Sequence, residues 1–151
     1  MLVVTFILAV LVLLMMVQLP NMYDPSVPAI FKITKIRHDD GNNNLNYDSR
    51  MMVMNTGTSG YMNKNLYAKT YRNGIELNCK IPTLNGNAFI PTHHYMVQTL
   101  GGLGSQGITW GPGESIFIDF TDKTFHPGDV VTFEVYDAVT QQIISRHTYT
   151  A

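Results

Sequence analysis

Residues 110–137 read WGPGESIFIDFTDKTFHPGDVVTFEVYD. Within this stretch, SIFIDF (115–120) places Ile116, Ile118 and Phe120 on one face. VVTFEVYD (130–137) does the same with Val131, Phe133 and Val135. That period of two is the mark of a half-buried strand. Both runs carry one heading, an aromatic residue, any residue, then Pro-Gly and an acid: WGPGE at 110–114 and FHPGD at 125–129. Proline fixes φ and glycine takes positive φ, which makes a type II turn. Trp110, Pro112 and Gly113, with Phe125, Pro127, Gly128 and Asp129, are thus read as turn and packing residues, Trp110 as an aromatic anchor. The echo predicts two similar turns at one end of a sandwich rather than a tandem repeat.

Working outward, the same alternation recurs. AIFKITKIRH (29–38), SRMMVMNT (49–56) and QQIISRHTYT (141–150) are rich in β-branched or apolar residues and are bounded by polar turns such as DDGNNNLNYD (39–48) and GTSG (57–60). LYAKTYRNGIELNCKI (66–81) reads as a hairpin, two strand-like runs meeting at Asn73-Gly74, the pair best able to form a type I′ turn. The segments 82–96 and 98–114 are long and turn-rich. GGLGSQG (101–107) reads as a flexible surface loop, because it lacks the Lys-Ser/Thr and the following helix of a phosphate-cradling loop. Short strands separated by turn signals predict an all-β sandwich, Ig-like or a small barrel, over residues 29–151.

Residues 1–20, MLVVTFILAVLVLLMMVQLP, contrast with all of this. The first charged side chain is Asp24 and the first cation Lys32. Pro20, Pro25 and Pro28 end the helix and make 20–28 a proline-rich linker. A secretory signal would need a basic start and a small-residue cleavage site, and neither is present. An ordinary membrane anchor matches the length, at about 20 apolar residues, but is normally oriented by Lys or Arg on its cytoplasmic flank. A third reading fits better: a mature N-terminus from which a basic leader has been cut, leaving residues 1–19 as a hydrophobic assembly and transmembrane helix. A helix apolar all round must be buried on every side.

Composition narrows the function. The chain has 151 residues and a net charge of −1. It has no basic patch for nucleic acid. Only 14% of its residues are charged, against about 25% in typical soluble domains. Asn, Thr, Ser and Gly take their place, as suits an exterior protein that packs against copies of itself. Cys79 is the one cysteine, so no disulfide forms within the chain; it is read as a small buried residue in a strand. His93 and His94 point to opposite faces of an extended segment, and His38, His126 and His147 are scattered, which is no zinc spacing. Asp119, Asp122 and Asp129 lack the ordered spacing of a calcium loop and are read as turn caps. No nucleophile elbow, P-loop or H-E-x-x-H occurs. We therefore expect no catalytic residue, cofactor or metal.

Taken together, the charge-free helix, the proline break, the strand opener at 29–38, the WGPGE turn, and TFHPGD with the strands that follow it to residue 151 resemble the archaeal-type type IV pilins. The likeness runs over essentially the whole chain, with 41–107 contributing least. It implies a precursor whose leader is removed by a membrane peptidase, leaving Met1 first. Subunits would wait in the cell membrane, and pilus assembly machinery would draw them into an extracellular helical filament of identical copies. It further implies that Met1, Leu2, Val3, Val4, Thr5, Phe6, Ile7, Leu8, Val10, Leu11, Val12, Leu13, Leu14, Met15, Met16 and Val17 form the assembly helix. Bacterial relatives usually carry glutamate at the fifth mature position. Thr5 stands here, and its hydroxyl can bond back to a carbonyl one turn earlier, which favours the archaeal-type group. The β domain would form the fibre surface and adhere through loops such as 41–47 and 101–107. The alternatives are a membrane-anchored monomeric β-sandwich binding module and an archaellin, the motility-filament subunit.

Overall fold

The structure is a computed structural model that describes residues 2–18, 26–91 and 96–151, and within the first segment the side chains of 4–12. Helix α1 (Leu2–Gln18) comes first. Ten strands follow: β1 (Phe31–Asp39), β2 (Leu45–Asn55), β3 (Tyr61–Met62), β4 (Leu66–Arg72), β5 (Ile75–Glu76), β6 (Val97–Gly101), β7 (Thr109–Trp110), β8 (Ser115–Phe120), β9 (Val130–Asp137) and β10 (Ile143–Thr150). A 3-10 turn (Asn63–Asn65) precedes β4, and a short helix, α2 (Leu103–Gln106), follows β6. The strands form two four-stranded antiparallel sheets, β1-β2-β8-β6 and β10-β9-β4-β5, with a small β3-β7 pair beside them.

The period-two reading places the core correctly on the long strands. Ile116, Ile118 and Phe120 of β8 face Val131, Phe133 and Val135 of β9, all buried. Met51 and Val53 of β2, and Leu66 and Ala68 of β4, complete the two inner faces. Strand β1 departs from simple alternation. A bulge between Ile33 and Lys35 leaves Thr34 and Lys35 both exposed, so that Ile33 and Ile36 both point inward.

The two sheets meet along one seam, where edge strand β1 passes edge strand β10. Among the described residues no strand ladder joins them there; two side chains and one backbone bond do. The buried Ser145 hydroxyl accepts the N–H groups of Ile30 (3.0 Å) and Phe31 (2.9 Å). His147 Nδ1 accepts the Ile33 N–H at 3.1 Å. The Arg146 N–H returns a bond to the Pro28 carbonyl at 3.1 Å. Without these contacts the β1 amides would be desolvated and unpaired.

Several expectations need correction. The Asn73-Gly74 turn forms as read, with both residues at positive φ (51° and 81°), but its second strand, β5, is only two residues long. The chain then runs on beside β4, Leu77 N–H bonding Thr70 O and Ala68 bridging Ile81. Cys79 therefore lies outside any strand and is half-buried, not buried. GGLGSQG is no free loop: it completes β6 and builds α2, with Gly104 and Ser105 buried. Helix α1 spans 17 residues, about 26 Å at 1.5 Å per residue. Among the described residues no helix is long and apolar enough to cross a membrane; both ends of the helix expected over 1–19 lie outside them. Met1, residues 19–25 (including Pro20 and Pro25), His93 and His94 lie outside the described residues. So do the side chains of Leu2, Val3, Leu13, Leu14, Met15, Met16 and Val17.

The seam makes two predictions. Ser145→Ala strands one buried and one half-buried donor, at about 1–3 kcal/mol for such a loss; urea unfolding should show a destabilisation of about 2 kcal/mol. The second concerns pH. Burial lowers the His147 pKa from its ordinary 6.5, helped by Lys32. Burial also lowers that of His38, with His126 adding to the effect and Asp129, Asp39 and Asp48 opposing it. Both imidazoles bind protons less readily folded than unfolded. Their contribution is complete above pH 6.5 and is lost as pH falls from there toward the lowered folded values. Urea midpoints measured from pH 7 down to about 5 should fall, and His147→Gln should flatten the slope.

Candidate assembly surface

Every described side chain of α1, from Val4 to Val12, is exposed. Successive residues step by about 100° around a helix. Phe6 (71%), Leu8 (63%) and Leu11 (50%) therefore point in different directions, and all of them meet solvent. No acidic residue sits in the first turn and no basic residue in the last, so no charged side chain marks either end. None of the hydrophobic core comes from the described α1 side chains. Burying a large aliphatic or aromatic side chain is worth about 1.5–3 kcal/mol. Val4, Phe6, Ile7, Leu8, Val10, Leu11 and Val12 thus hold on the order of 10 kcal/mol that the single chain does not realise.

The two Pro-Gly turns fold as their echo implies and share a device that the motif does not spell out. In the first, Glu114 N–H bonds Gly111 O at 3.2 Å and Gly113 takes φ 76°. In the second, Asp129 N–H bonds His126 O at 3.0 Å and Gly128 takes φ 90°. Each acid then folds back on its own turn. Glu114 Oε2 accepts the Gly111 N–H at 2.7 Å, and Asp129 Oδ2 accepts the His126 N–H at 2.8 Å. Burial by itself would raise the Asp129 carboxyl. The His126 N–H, the Asn73 amide and Arg72 outweigh it and hold the group below its ordinary value.

The aromatic at the head of each turn is fully buried. Trp110 stacks on Phe31 with centroids 4.2 Å apart and donates Nε1–H to Glu114 O at 2.8 Å. Phe125 meets Phe120 edge-on at 5.0 Å. The indole also explains α2: a Cβ on Gly104 would stand 2.5 Å from Trp110 Cδ1. The turns do not share one end of the sandwich, as was expected. Asn55 clasps the first, donating Nδ2–H to Trp110 O and accepting the Gly113 N–H through its own carbonyl. Ser49 holds the second, its hydroxyl accepting the Phe125 N–H at 3.0 Å. These two residues lie six apart on β2, about 20 Å at 3.3 Å per residue. The turns therefore cap opposite ends of β8, one before the strand and one after it.

The remaining candidates take structural places. Asp119 pairs with Arg50 at 3.3 Å and Asp122 is exposed. The Cys79 thiol is pushed up by burial. Among the described residues no group of three or more His, Cys, Asp or Glu could hold a metal ion. Sequence reasoning missed Glu134. It points outward on β9, yet is only 5% exposed, because long neighbours cover it. Arg146 Nε–H reaches it at 2.7 Å and the Tyr136 hydroxyl at 2.5 Å. Tyr136 in turn stacks on Tyr67 at 4.9 Å. Burial, then the Glu134 carboxylate, raises the Tyr71 and Tyr136 phenols. Only the strand register, Lys69 and Arg146 on either side of Glu134, assembles this cluster.

No protein-family model and no curated protein matches this chain. Two solved structures are similar to it at the level of overall shape. One is the archaellum periplasmic stator protein complex of FlaF and FlaG from Sulfolobus acidocaldarius, at 11% identity and TM-score 0.44, covering 82% of this chain and 89% of that one. The other is the archaellum periplasmic stator protein FlaG from the same organism, at 12% identity and TM-score 0.41, covering 80% of this chain and 97% of that one. Likeness at this level assigns the chain neither a family nor a function.

Proposed function

We propose that the protein is a structural subunit of an extracellular, pilus-like helical filament. Copies associate through α1, and their β sandwiches form an adhesive outer surface. One observation carries this reading: an apolar helix whose described side chains, 4–12, are all exposed, attached to a sandwich whose own core contains none of them. Such a helix reaches its stable state only when other apolar surfaces cover it all round, and sibling helices supply that cover in a bundle. A contact in which each copy uses different surfaces of its neighbours gives an open helix rather than a closed ring. The resemblance to archaeal-type pilins, carried by the helix, the proline break and the two turns, supports the same architecture. A monomeric binding module would leave this apolar surface to be covered by something other than its own kind.

The test places charge in the helix. In Phe6→Lys/Leu8→Lys, two ammonium groups must enter any helix bundle, and each unpaired charge costs several kcal/mol in an apolar setting. The native chain should sediment as polymer and show fibres by electron microscopy. The variant should remain in the supernatant with an unchanged β signal in circular dichroism. Polymer that persists in the variant would remove α1 as the assembly element.

A further inference from the structure

On the β sandwich, the 3-10 turn before β4, the loop at 85–87 and the end of α2 border an open surface hollow of about 390 Å³. Its walls are Lys64, Asn85, Asn87, Gln106, Gly107 and Ile108. From this arrangement we infer a binding site for a neutral saccharide. The inference deepens the adhesive half of the reading above, and rests on it only in placing the sandwich at the outer surface.

The hollow is a built feature. Asn87 Nδ2–H bonds Gln106 O at 3.1 Å, Gly86 N–H bonds Ser105 O at 2.9 Å, and Asn63 Nδ2–H bonds Gly107 O at 2.9 Å. All three segments are thereby tied to one another. Gly86 marks how closely they approach: a Cβ there would lie 3.0 Å from Ser105 Oγ and 3.1 Å from Leu100 O. Asn85 Oδ1 is held by the Asn87 N–H at 3.1 Å, which fixes the orientation of its carboxamide.

What remains unused is chemically mixed. The Gln106 carboxamide, Asn85 Nδ2, Asn87 Oδ1 and Lys64 Nζ have no hydrogen-bond or ion-pair partner among the described residues. Beside the hollow, the buried Asn63 Oδ1 also lacks one. Carboxamides offer donors and acceptors side by side, the pattern that adjacent sugar hydroxyls present in return. Ile108, 76% exposed, supplies an apolar wall for the C–H face of a ring. Among the described residues no carboxylate lines the hollow, so a cation finds no counter-charge from them. With a single ammonium, it lacks the cluster of cations that selects a phosphate or sulfate.

The test uses the full chain in a detergent without a sugar headgroup. Saturation-transfer NMR and calorimetric titration would probe free manno- and gluco-oligosaccharides, the same sugars conjugated to albumin, and a sulfated heparin fragment as control. Saturable binding of a neutral sugar is expected, weakened about 10-fold or more in Asn87→Ala/Gln106→Ala, since each lost hydrogen bond carries a sizeable part of a small affinity. Both residues are exposed, and circular dichroism checks that the fold survives. Comparing free with conjugated sugar distinguishes a polysaccharide from a glycoprotein source. Absence of neutral-sugar binding, binding indifferent to the double substitution, or binding of the sulfated probe alone would each overturn the inference. Sedimentation of the same chain after the detergent is removed separates the two readings. Polymer without sugar binding removes the site and leaves assembly standing, whereas sugar binding by a chain that never polymerises does the reverse.

Discussion

The sandwich depends on how β1 is finished. An edge strand presents a row of backbone donors and acceptors that another strand can complete. Here the β1 edge is met by the β10 edge of the opposite sheet, and two side chains stand in for a ladder. Ser145 takes two N–H groups, and His147 takes a third through a nitrogen that must be unprotonated to accept it. The seam thus does two things at once. It closes one side of the sandwich over Phe31, Ile33 and the Trp110 stack, and it engages the start of the β1 edge that would otherwise be open to strand addition. If copies of this chain associate, the amides of Ile30, Phe31 and Ile33 are already engaged within the chain.

The aromatic-x-Pro-Gly-acid echo shows how a local motif and a global position can be separable. Local chemistry alone determines the turn: proline and glycine set the dihedrals, and the acid accepts the amide that the turn leaves open. That is why both copies were legible in the sequence. Placement depends on which strand the turn serves and which partner holds it. Asn55 and Ser49, both buried polar residues on β2, make that choice. Neither looks special in sequence, since a polar residue on an inward face reads as a break in the pattern rather than as a clasp.

The same division explains what else could be read in advance. Strands long enough to show period two, β8 and β9 above all, were legible together with their inward residues, because each alternates without a bulge. Strand β1 was legible as a strand but not in its phase, since the bulge at Ile33/Lys35 resets the faces partway along. Short elements left no signal: β3, β5 and β7 have two residues each, fewer than any periodicity needs. Gly101–Gly107 looked flexible because glycine permits flexibility. Here Gly104 is required for the opposite reason, as the one residue type that lets α2 lie against the Trp110 ring. The sugar-facing hollow was invisible for a related reason. Its walls come from three separate segments, each of ordinary loop composition, and only the hydrogen bonds between them bring them together.

Glu134 bears on how the sandwich and the helix divide their work. A carboxylate on an outward face normally needs no help from its neighbours. This one is covered by Tyr136 and Arg146, with Lys69 opposite it in register and Tyr67 stacked behind. The outer face of the second sheet is thereby stiffened by a hydrogen-bonded aromatic and ionic layer instead of being left to mobile charged chains. The inner faces are packed and the start of the β1–β10 seam is engaged, so the sandwich has a core of its own. The helix carries the complementary property, a large apolar area that nothing in its own described core consumes. A sandwich with its own core and a helix left uncovered on one chain suit the filament proposed above: the gain would come from covering the helix, on which the core does not depend.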